Sequence, residues 1–194
     1  MAFDFDGTLT CRDSFRAFLA WRGGPLRYAL GMARLSAAAA RYALDRDRGQ
    51  LKTAMIDEFL AGACRADLEG QAREFALSSW RRLLRPDALE CWNLWQSRGA
   101  RLIIVTATPE IIVLPFAHRL GAELLIGSRL AFDENDLARG LDGANCRGAE
   151  KVSRIAAAFG ASARLQAAYG DSDGDIEMLG LAEERGYRVF VQRP

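Results

Sequence analysis

Histidine is almost missing from this chain: His118 is the only one. That removes histidine-rich zinc sites and paired-histidine phosphate chemistry, and leaves a Ser-His-Asp triad only if His118 itself serves. Lysine is nearly as scarce, with Lys52 and Lys151 carrying every ammonium, so arginine supplies almost all the positive charge. Cys11, Cys64, Cys91 and Cys146 form no CxxC pair, and none has an arginine six positions later, as a cysteine-dependent phosphatase loop would need. They read as reduced thiols. No charged leader followed by an apolar stretch opens the chain, and no uncharged run is long enough to span a bilayer, so a soluble cytoplasmic protein is expected. With 26 basic and 25 acidic side chains the field of the whole molecule is close to neutral, which gives no reason to expect nucleic acid as a partner.

What the chain does have is apolar content and carboxylates. Half of its 194 residues are hydrophobic, enough for one compact domain or a core with a sizeable insertion. Residues 1–5 read as a strand that runs straight into the turn signal Asp6-Gly7. So abrupt a start predicts a few further residues ahead of Met1. Apolar runs at 102–105 and 165–169 also end at polar residues and precede helical patterns, a βα rhythm. Pro86 and Gly99 bracket one helix, Pro109 opens another, and a third is expected over 149–159. Residues 130–143 mix Asp, Asn and Gly with apolar side chains, as a hairpin or loop at a sheet edge would. Between 14 and 84 strand signals are nearly absent and Ala, Leu and Arg recur at helical spacing. The expected architecture is therefore α/β, a Rossmann-like parallel sheet core from residues 1–13 and 85–194, with residues 14–84 inserted as a helical cap.

In open parallel sheets ligands gather beyond the carboxyl ends of the strands, which here are Asp4, Thr106 and Asp171. Asp4 and Asp6 flank a strand exit with Gly7 permitting the bend, so both carboxylates can face one ligand. Alone, Asp-x-Asp-Gly is also a plain turn with solvated acids, and Thr106 alone is also a strand-end cap for the following helix. Asp171-x-Asp173-x-Asp175 invites a calcium-loop reading, but that loop needs Gly where Ile176 stands and a terminal Glu where Ala182 stands.

Together the motifs resemble the haloacid dehalogenase superfamily in its own order. Phe3-Asp4-Phe5-Asp6-Gly7-Thr8-Leu9-Thr10 is similar to motif one and Val105-Thr106-Ala107-Thr108 to motif two. Lys151 in Glu150-Lys151-Val152 stands for motif three, and Gly170-Asp171-Ser172-Asp173-Gly174-Asp175 for motif four. With a helical insertion between motifs one and two, the chain most resembles the phosphoserine-phosphatase-like branch. The resemblance implies an Mg²⁺-dependent phosphatase in which Asp4 attacks phosphorus and Asp6 serves as general acid and base. Thr106, the Ala107 N–H and the Gly7 loop would bind the phosphoryl oxygens, and Lys151 would supply fixed positive charge. The implied metal ligands are Asp4, the Asp6 backbone carbonyl and Asp171, with Asp175 holding a metal-bound water or Lys151. Asp173 is an extra acid to which no role is assigned. The second aspartate, Asp6, separates this chain from halide-displacing members and favours phosphoester hydrolysis or phosphoryl transfer.

Substrate choice should lie in the cap. Asp13 stands where phosphoserine phosphatases carry a glutamate that binds the substrate amine, so it is a candidate binding residue whose change weakens phosphoserine. Residues 55–64, MIDEFLAGAC, show no match to that family's arginine-bearing cap helix. Residues 12–48 hold eight arginines against three aspartates. Arg27, Arg34 and Arg41 recur every seventh residue and share a helix face, with Trp21, Tyr28 and Tyr42 as amphipathic rings. Such a helix suits peripheral contact with an anionic membrane and admission of a lipid phosphate, although an ordinary cap helix with one solvated arginine face has the same pattern. The expected substrate is a small phosphomonoester or a phospholipid head-group phosphate. The rivals are phosphoryl transfer to another acceptor, a carbon–phosphorus hydrolase using Lys52 as Schiff base, and a non-catalytic phospho-ligand or membrane-associated regulatory protein.

Overall fold

A computed structural model describes residues 1–36 and 48–194. Its sheet contains β1 (Ala2–Phe3), β2 (Ile103–Pro109), β3 (Leu124–Phe132), β4 (Ala138–Asp142), β5 (Leu165–Gly170) and β6 (Ala182–Tyr187). The order is β4-β3-β2-β1-β5-β6, parallel throughout except for the antiparallel β3–β4 pair. From β1 the chain builds the sheet toward β3 and later crosses to the other side of β1 with β5. Beyond the end of β1 the connections therefore diverge, and this opens the crevice in which such sheets bind ligands.

Alternation along the strands sorts the core into two faces. Phe3, Ile104, Ala167 and Tyr169 point to one, and Ala2, Ile103, Val105 and Ala168 to the other. The first face is covered by α4 (Pro86–Ser97) and α5 (Glu110–Leu120), the second by α6 (Ala149–Phe159) and the short α7 (Ile176–Leu179). α4 begins at Pro86, whose missing N–H costs nothing at a helix start, and α6 spans the residues its apolar periodicity predicts. The expected edge hairpin is β3–β4, while the parallel half of β3 and the whole of β6 escaped the sequence reading. β6 reads AEERGY, with Glu183, Glu184 and Arg185 exposed, so no apolar run marks it.

Among the described residues of 14–84 the expected helices are α1 (Ser14–Arg34), α2 (Arg48–Phe59) and α3 (Arg65–Leu83). α1 is broken where Gly24 takes φ +69°, a left-handed conformation open to glycine, immediately before Pro25. These helices do not keep a core to themselves. Phe18 meets Phe75 at 5.4 Å between ring centroids, Phe75 meets Phe116 of α5 at 6.0 Å, and Phe116 meets Phe5 at 5.4 Å. One chain of aromatic contacts thus runs from the helical stretch to the end of β1. Where the chain leaves and re-enters the sheet layer, Cys11 N–H donates to Leu83 O at 2.8 Å and Arg85 N–H to Leu9 O at 2.9 Å. Arg27 and Arg34 do share a face, but Arg34 is paired with Glu58 of α2 at 3.0 Å, and Arg41 and Tyr42 lie outside the described residues. No described helix is long and apolar enough to cross a membrane.

Trp92 is fully buried on α4, 5.0 Å from the Phe3 ring, with Nε1 donating to Leu120 O at 3.0 Å. Trp92→Ala opens a cavity beneath β1 and leaves that carbonyl only the longer bond from Gln96 Nε2, at 3.5 Å. The expected loss is about 3–5 kcal/mol in urea unfolding; a loss under about 1 kcal/mol would mean the α4 face does not pack as described.

Candidate active site

β1 is only two residues long, and the chain leaves it at Asp4. Asp4 N–H still donates to Tyr169 O at 2.9 Å, so its backbone is held by β5 while its side chain faces the crevice. Phe5–Leu9 then winds tightly, and at Gly7 the chain takes φ +84°. A Cβ at Gly7 would collide with the Asp171 carboxylate, so glycine here serves both the turn and the close approach of motifs one and four.

Lys151, on α6, is 1% exposed and spends its three donors within the site. Nζ lies 2.6 Å from each of Asp4 Oδ1, Asp175 Oδ1 and Val105 O. Burial opposes its charge, yet Asp4 and Asp175 beside it hold the amine above its ordinary value. Asp175 is held low: burial works against its charge, but Lys151 and the donors of Ser172 outweigh it. Its second oxygen accepts from Ser172 N–H at 2.9 Å and Ser172 Oγ at 2.8 Å, which fixes the loop carrying Asp171.

Asp4 differs from its neighbours. Burial pushes its carboxyl up to about 7, with Lys151 pulling the other way and Asp175 adding to the rise. Asp171 is also pushed up, by burial and then by Asp175. Ligand oxygens of Asp4, Asp171 and Asp175 all lie within 4.8 Å of one another. Three crowded carboxylates with one lysine are short of positive charge, and an all-oxygen donor set suits a hard cation such as Mg²⁺. The residues present therefore fit the expected metal.

The Asp6 side chain is turned out of that cluster. Ser14 N–H donates to its Oδ1 at 2.6 Å and Thr108 Oγ1 to its Oδ2 at 2.5 Å. Burial first and the Asp13 charge second push its carboxyl up to about 6, against these hydrogen bonds. Thr106 is fully buried at the crevice end of β2, and its Oγ1 accepts the Thr108 N–H at 3.1 Å. β2 continues to Pro109, so Thr106, Ala107 and Thr108 belong to the strand rather than to a loop after it. Asp13 is exposed and its Oδ1 accepts the Arg16 N–H at 2.8 Å, an N-cap for α1. Asp173 opens a single 3₁₀ turn.

Three further residues were not singled out for the roles they take here. Thr108 holds the second aspartate. Arg85 Nε lies 3.2 Å from both Gly7 O and Thr10 O, bracing the motif-one loop. Lys52, on α2, donates to Ala107 O at 2.6 Å. Nothing local in the sequence distinguishes Arg85 among many arginines, whereas the rarity of lysine did point to Lys52.

Asp4 and Asp6 bind their protons more tightly in the folded chain than in the unfolded one, where carboxyls titrate near the ordinary value of about 3.8. Between about pH 4 and 7 the folded state holds more protons, so stability falls as pH rises through that window. Asp175, held low, completes its titration below it. The metal-free chain is therefore expected to melt several degrees lower at pH 8 than at pH 5, with Mg²⁺ raising Tm more at pH 8. A flat profile with no Mg²⁺ effect in thermal melts would count against the cluster.

The chain matches the haloacid dehalogenase-like hydrolase family over residues 1–180. Protein CicA of Caulobacter vibrioides is 53% identical over 195 residues, covering 100% of this chain and 87% of that protein, in each of two strains. A solved structure from Bordetella pertussis Tohama I, of a protein with unknown function, has TM-score 0.77 at 24% identity over 92% of this chain and 84% of its own. A phosphoserine phosphatase in a phospho-aspartyl intermediate analogue state has TM-score 0.62 at 20% identity, over 95% of this chain and 83% of the other. At such identities the solved structures speak for a shared fold. The family match spans nearly the whole sequence and includes every motif residue placed above, and this chain belongs to the haloacid dehalogenase-like hydrolase family.

Proposed function

We propose that this hydrolase is an Mg²⁺-dependent phosphatase of phosphomonoesters that works through an aspartyl phosphate on Asp4. The observation that carries the reading is the division of labour between two buried carboxyls. Asp4 is bonded to Lys151, whereas Asp6 is held apart by Ser14 and Thr108. Phosphoryl transfer needs a nucleophile beside fixed positive charge and a separate proton donor for the leaving oxygen, and Lys151 beside Asp4 and the separately held Asp6 suit these two roles.

In the first half-reaction Asp4 Oδ2, which accepts no hydrogen bond from the described residues, attacks phosphorus in line. The bond from phosphorus to the ester oxygen breaks, and protonated Asp6 gives that oxygen its proton. A carboxyl pushed up to about 6 keeps a useful protonated fraction near neutrality. In the second half-reaction Asp6, now ionised, takes a proton from water as that water attacks phosphorus. The bond from phosphorus to Asp4 breaks, releasing phosphate and restoring the carboxylate. Lys151 stays charged throughout and offsets the negative oxygens, with the Ala107 N–H and the Thr106 hydroxyl as further donors. Asp4, Asp171 and the Asp6 backbone carbonyl would hold Mg²⁺, with Asp175 anchoring Lys151. Mg²⁺ bound there supplies charge neutralisation for the transferring oxygens.

Residues 14–84 then act as a cap on a core of 1–13 and 85–194, excluding water and contacting the leaving group. The reading extends to lipid head-group phosphates. Leu26 and Leu30, one turn apart on α1, are 74% and 52% exposed beside Arg27 and Arg34, a mixture suited to an anionic bilayer surface.

Phosphate release from a panel of phosphomonoesters tests the proposal. Asp4→Asn is expected to lose at least about 10³-fold in kcat, and chelation of Mg²⁺ to abolish turnover reversibly. Ligand binding that survives in Asp4→Asn, with no substrate turned over by the wild type, would instead favour a phospho-ligand binding protein. Thr108→Val removes a hydrogen bond that favours ionised Asp6, so its carboxyl moves further up. The alkaline limb of the pH–kcat/KM profile, which needs Asp6 protonated as the acid of the first half-reaction, should shift to higher pH by up to about one unit.

A further inference from the structure

Between Val105 and Pro109 the pairing of β2 with β3 breaks step. Val105 lies opposite Ile126 and Pro109 opposite Ser128, so the stretch from Thr106 to Thr108 faces the single residue Gly127. Such a bulge takes backbone groups out of the regular ladder, and buried ones must then find other partners. β3 follows the detour closely: a Cβ at Gly127 would lie 2.9 Å from Thr108 O and 2.8 Å from the Glu110 side chain, so glycine is the residue that fits. The next residue, Ser128, is fully buried, and its Oγ reaches Ala107 O at 2.7 Å.

Two other groups meet the Ser128 hydroxyl. Cys146 N–H donates to its Oγ at 2.9 Å, and Asn145 Oδ1 lies 3.0 Å from it. A serine has one proton to give, and Ala107 O is the nearer of the two acceptors. The same carbonyl also accepts from Lys52 Nζ at 2.6 Å. The planar peptide that joins Ala107 to Thr108 is thereby held by its carbonyl, and its N–H, on the opposite edge, meets Thr106 Oγ1 at 3.1 Å. A hydroxyl that accepts on that side turns its own proton away from it, and among the described residues the Thr106 proton has no acceptor. It is left for an oxygen in the crevice, where the proposed reaction puts the transferring phosphoryl group. Thr108, which supplies the N–H of that peptide, also carries the hydroxyl that donates to Asp6 Oδ2 at 2.5 Å.

We infer that Ser128 is a positioning residue for phosphoryl transfer: by holding the Ala107–Thr108 peptide it keeps the Thr106 hydroxyl turned as a donor toward the transferring oxygens. The inference rests on the phosphatase reading and adds to it a residue outside the four motifs. A Ser128 of purely structural use would instead tie β3, through Cys146, to the loop just ahead of α6 and Lys151. The two roles differ in one consequence. An effect that passes through the Thr106 hydroxyl disappears once that hydroxyl is gone, whereas an effect on the α6 loop persists.

A double-mutant cycle between Ser128 and Thr106 separates them. The constants are measured per folded molecule, on an ester that wild type turns over, for Ser128→Ala, Thr106→Val and the double variant. Thr106→Val removes the donor itself and is expected to lose about 10²-fold in kcat. Ser128→Ala is expected to lose about 10-fold in kcat with little change in KM, because Lys52 still holds the carbonyl and the donor acts in the transition state. The double variant should then be no slower than Thr106→Val alone. Losses that multiply, to about 10³-fold in the double variant, overturn the inference and make Ser128 a brace for the α6 loop. A wild-type kcat in Ser128→Ala overturns it as well. Both results leave the phosphatase standing, whereas a wild type that turns over no phosphomonoester removes that reading and this inference with it. Should Ser128→Ala not fold, Ser128→Cys, similar in shape and a weaker donor, takes its place in the same cycle.

Discussion

One buried ammonium organises this molecule. Lys151 joins the end of β1 through Asp4, the interior of β2 through Val105 and the turn after β5 through Asp175, each at 2.6 Å. A charge so deep is tolerated only with geometry this complete, because removing one partner leaves an uncompensated ion at a cost of about 3–5 kcal/mol. The arrangement therefore fixes β1, β2 and the turn after β5 relative to one another. The motif-four loop inherits its shape from Asp175, whose second oxygen collects the Ser172 donors, and Asp171 follows. Catalytic geometry and local stability rest on the same contacts.

The same arrangement explains why the two motif-one aspartates behave differently although one residue separates them. Asp4 lies beside Lys151 and the other acids, in a place where a cation completes the balance. Asp6 lies past the bend at Gly7, where a backbone N–H and a hydroxyl hold it and no lysine pairs with it. Burial raises both carboxyls, and in the proposed reaction one environment serves attack on phosphorus and the other the carrying of a proton. Two environments follow from one sharp turn.

The helical stretch belongs to this site physically as well as by sequence position. Its aromatic residues pack on Phe116, which touches Phe5, so α1 and α3 sit on the same packed column as the strand end. Ser14, the first residue of α1, donates to Asp6, and Lys52 of α2 reaches Ala107. Movement of these helices would be felt at both motif one and motif two.

Much of this was legible in the chain itself. A strand ending in Asp-x-Asp-Gly, a second ending in Thr106, an isolated lysine and a Gly-Asp-x-Asp turn are local patterns, set by side-chain period and turn chemistry, and they gave the α/β class, the helical insertion and the motif residues. β6 was invisible because its exposed charges hide its period, and the N-cap bond that Asp13 makes to α1 was not foreseen. Thr108 against Asp6, Arg85 against the motif-one loop and Lys52 against Ala107 join residues 102, 78 and 55 positions apart. No local pattern encodes such pairs. Sequence by itself determined which chemical groups stand at the strand ends, since that depends on short-range geometry; only the folded chain decided which of them share a proton, a charge or a turn, because electrostatics acts through space.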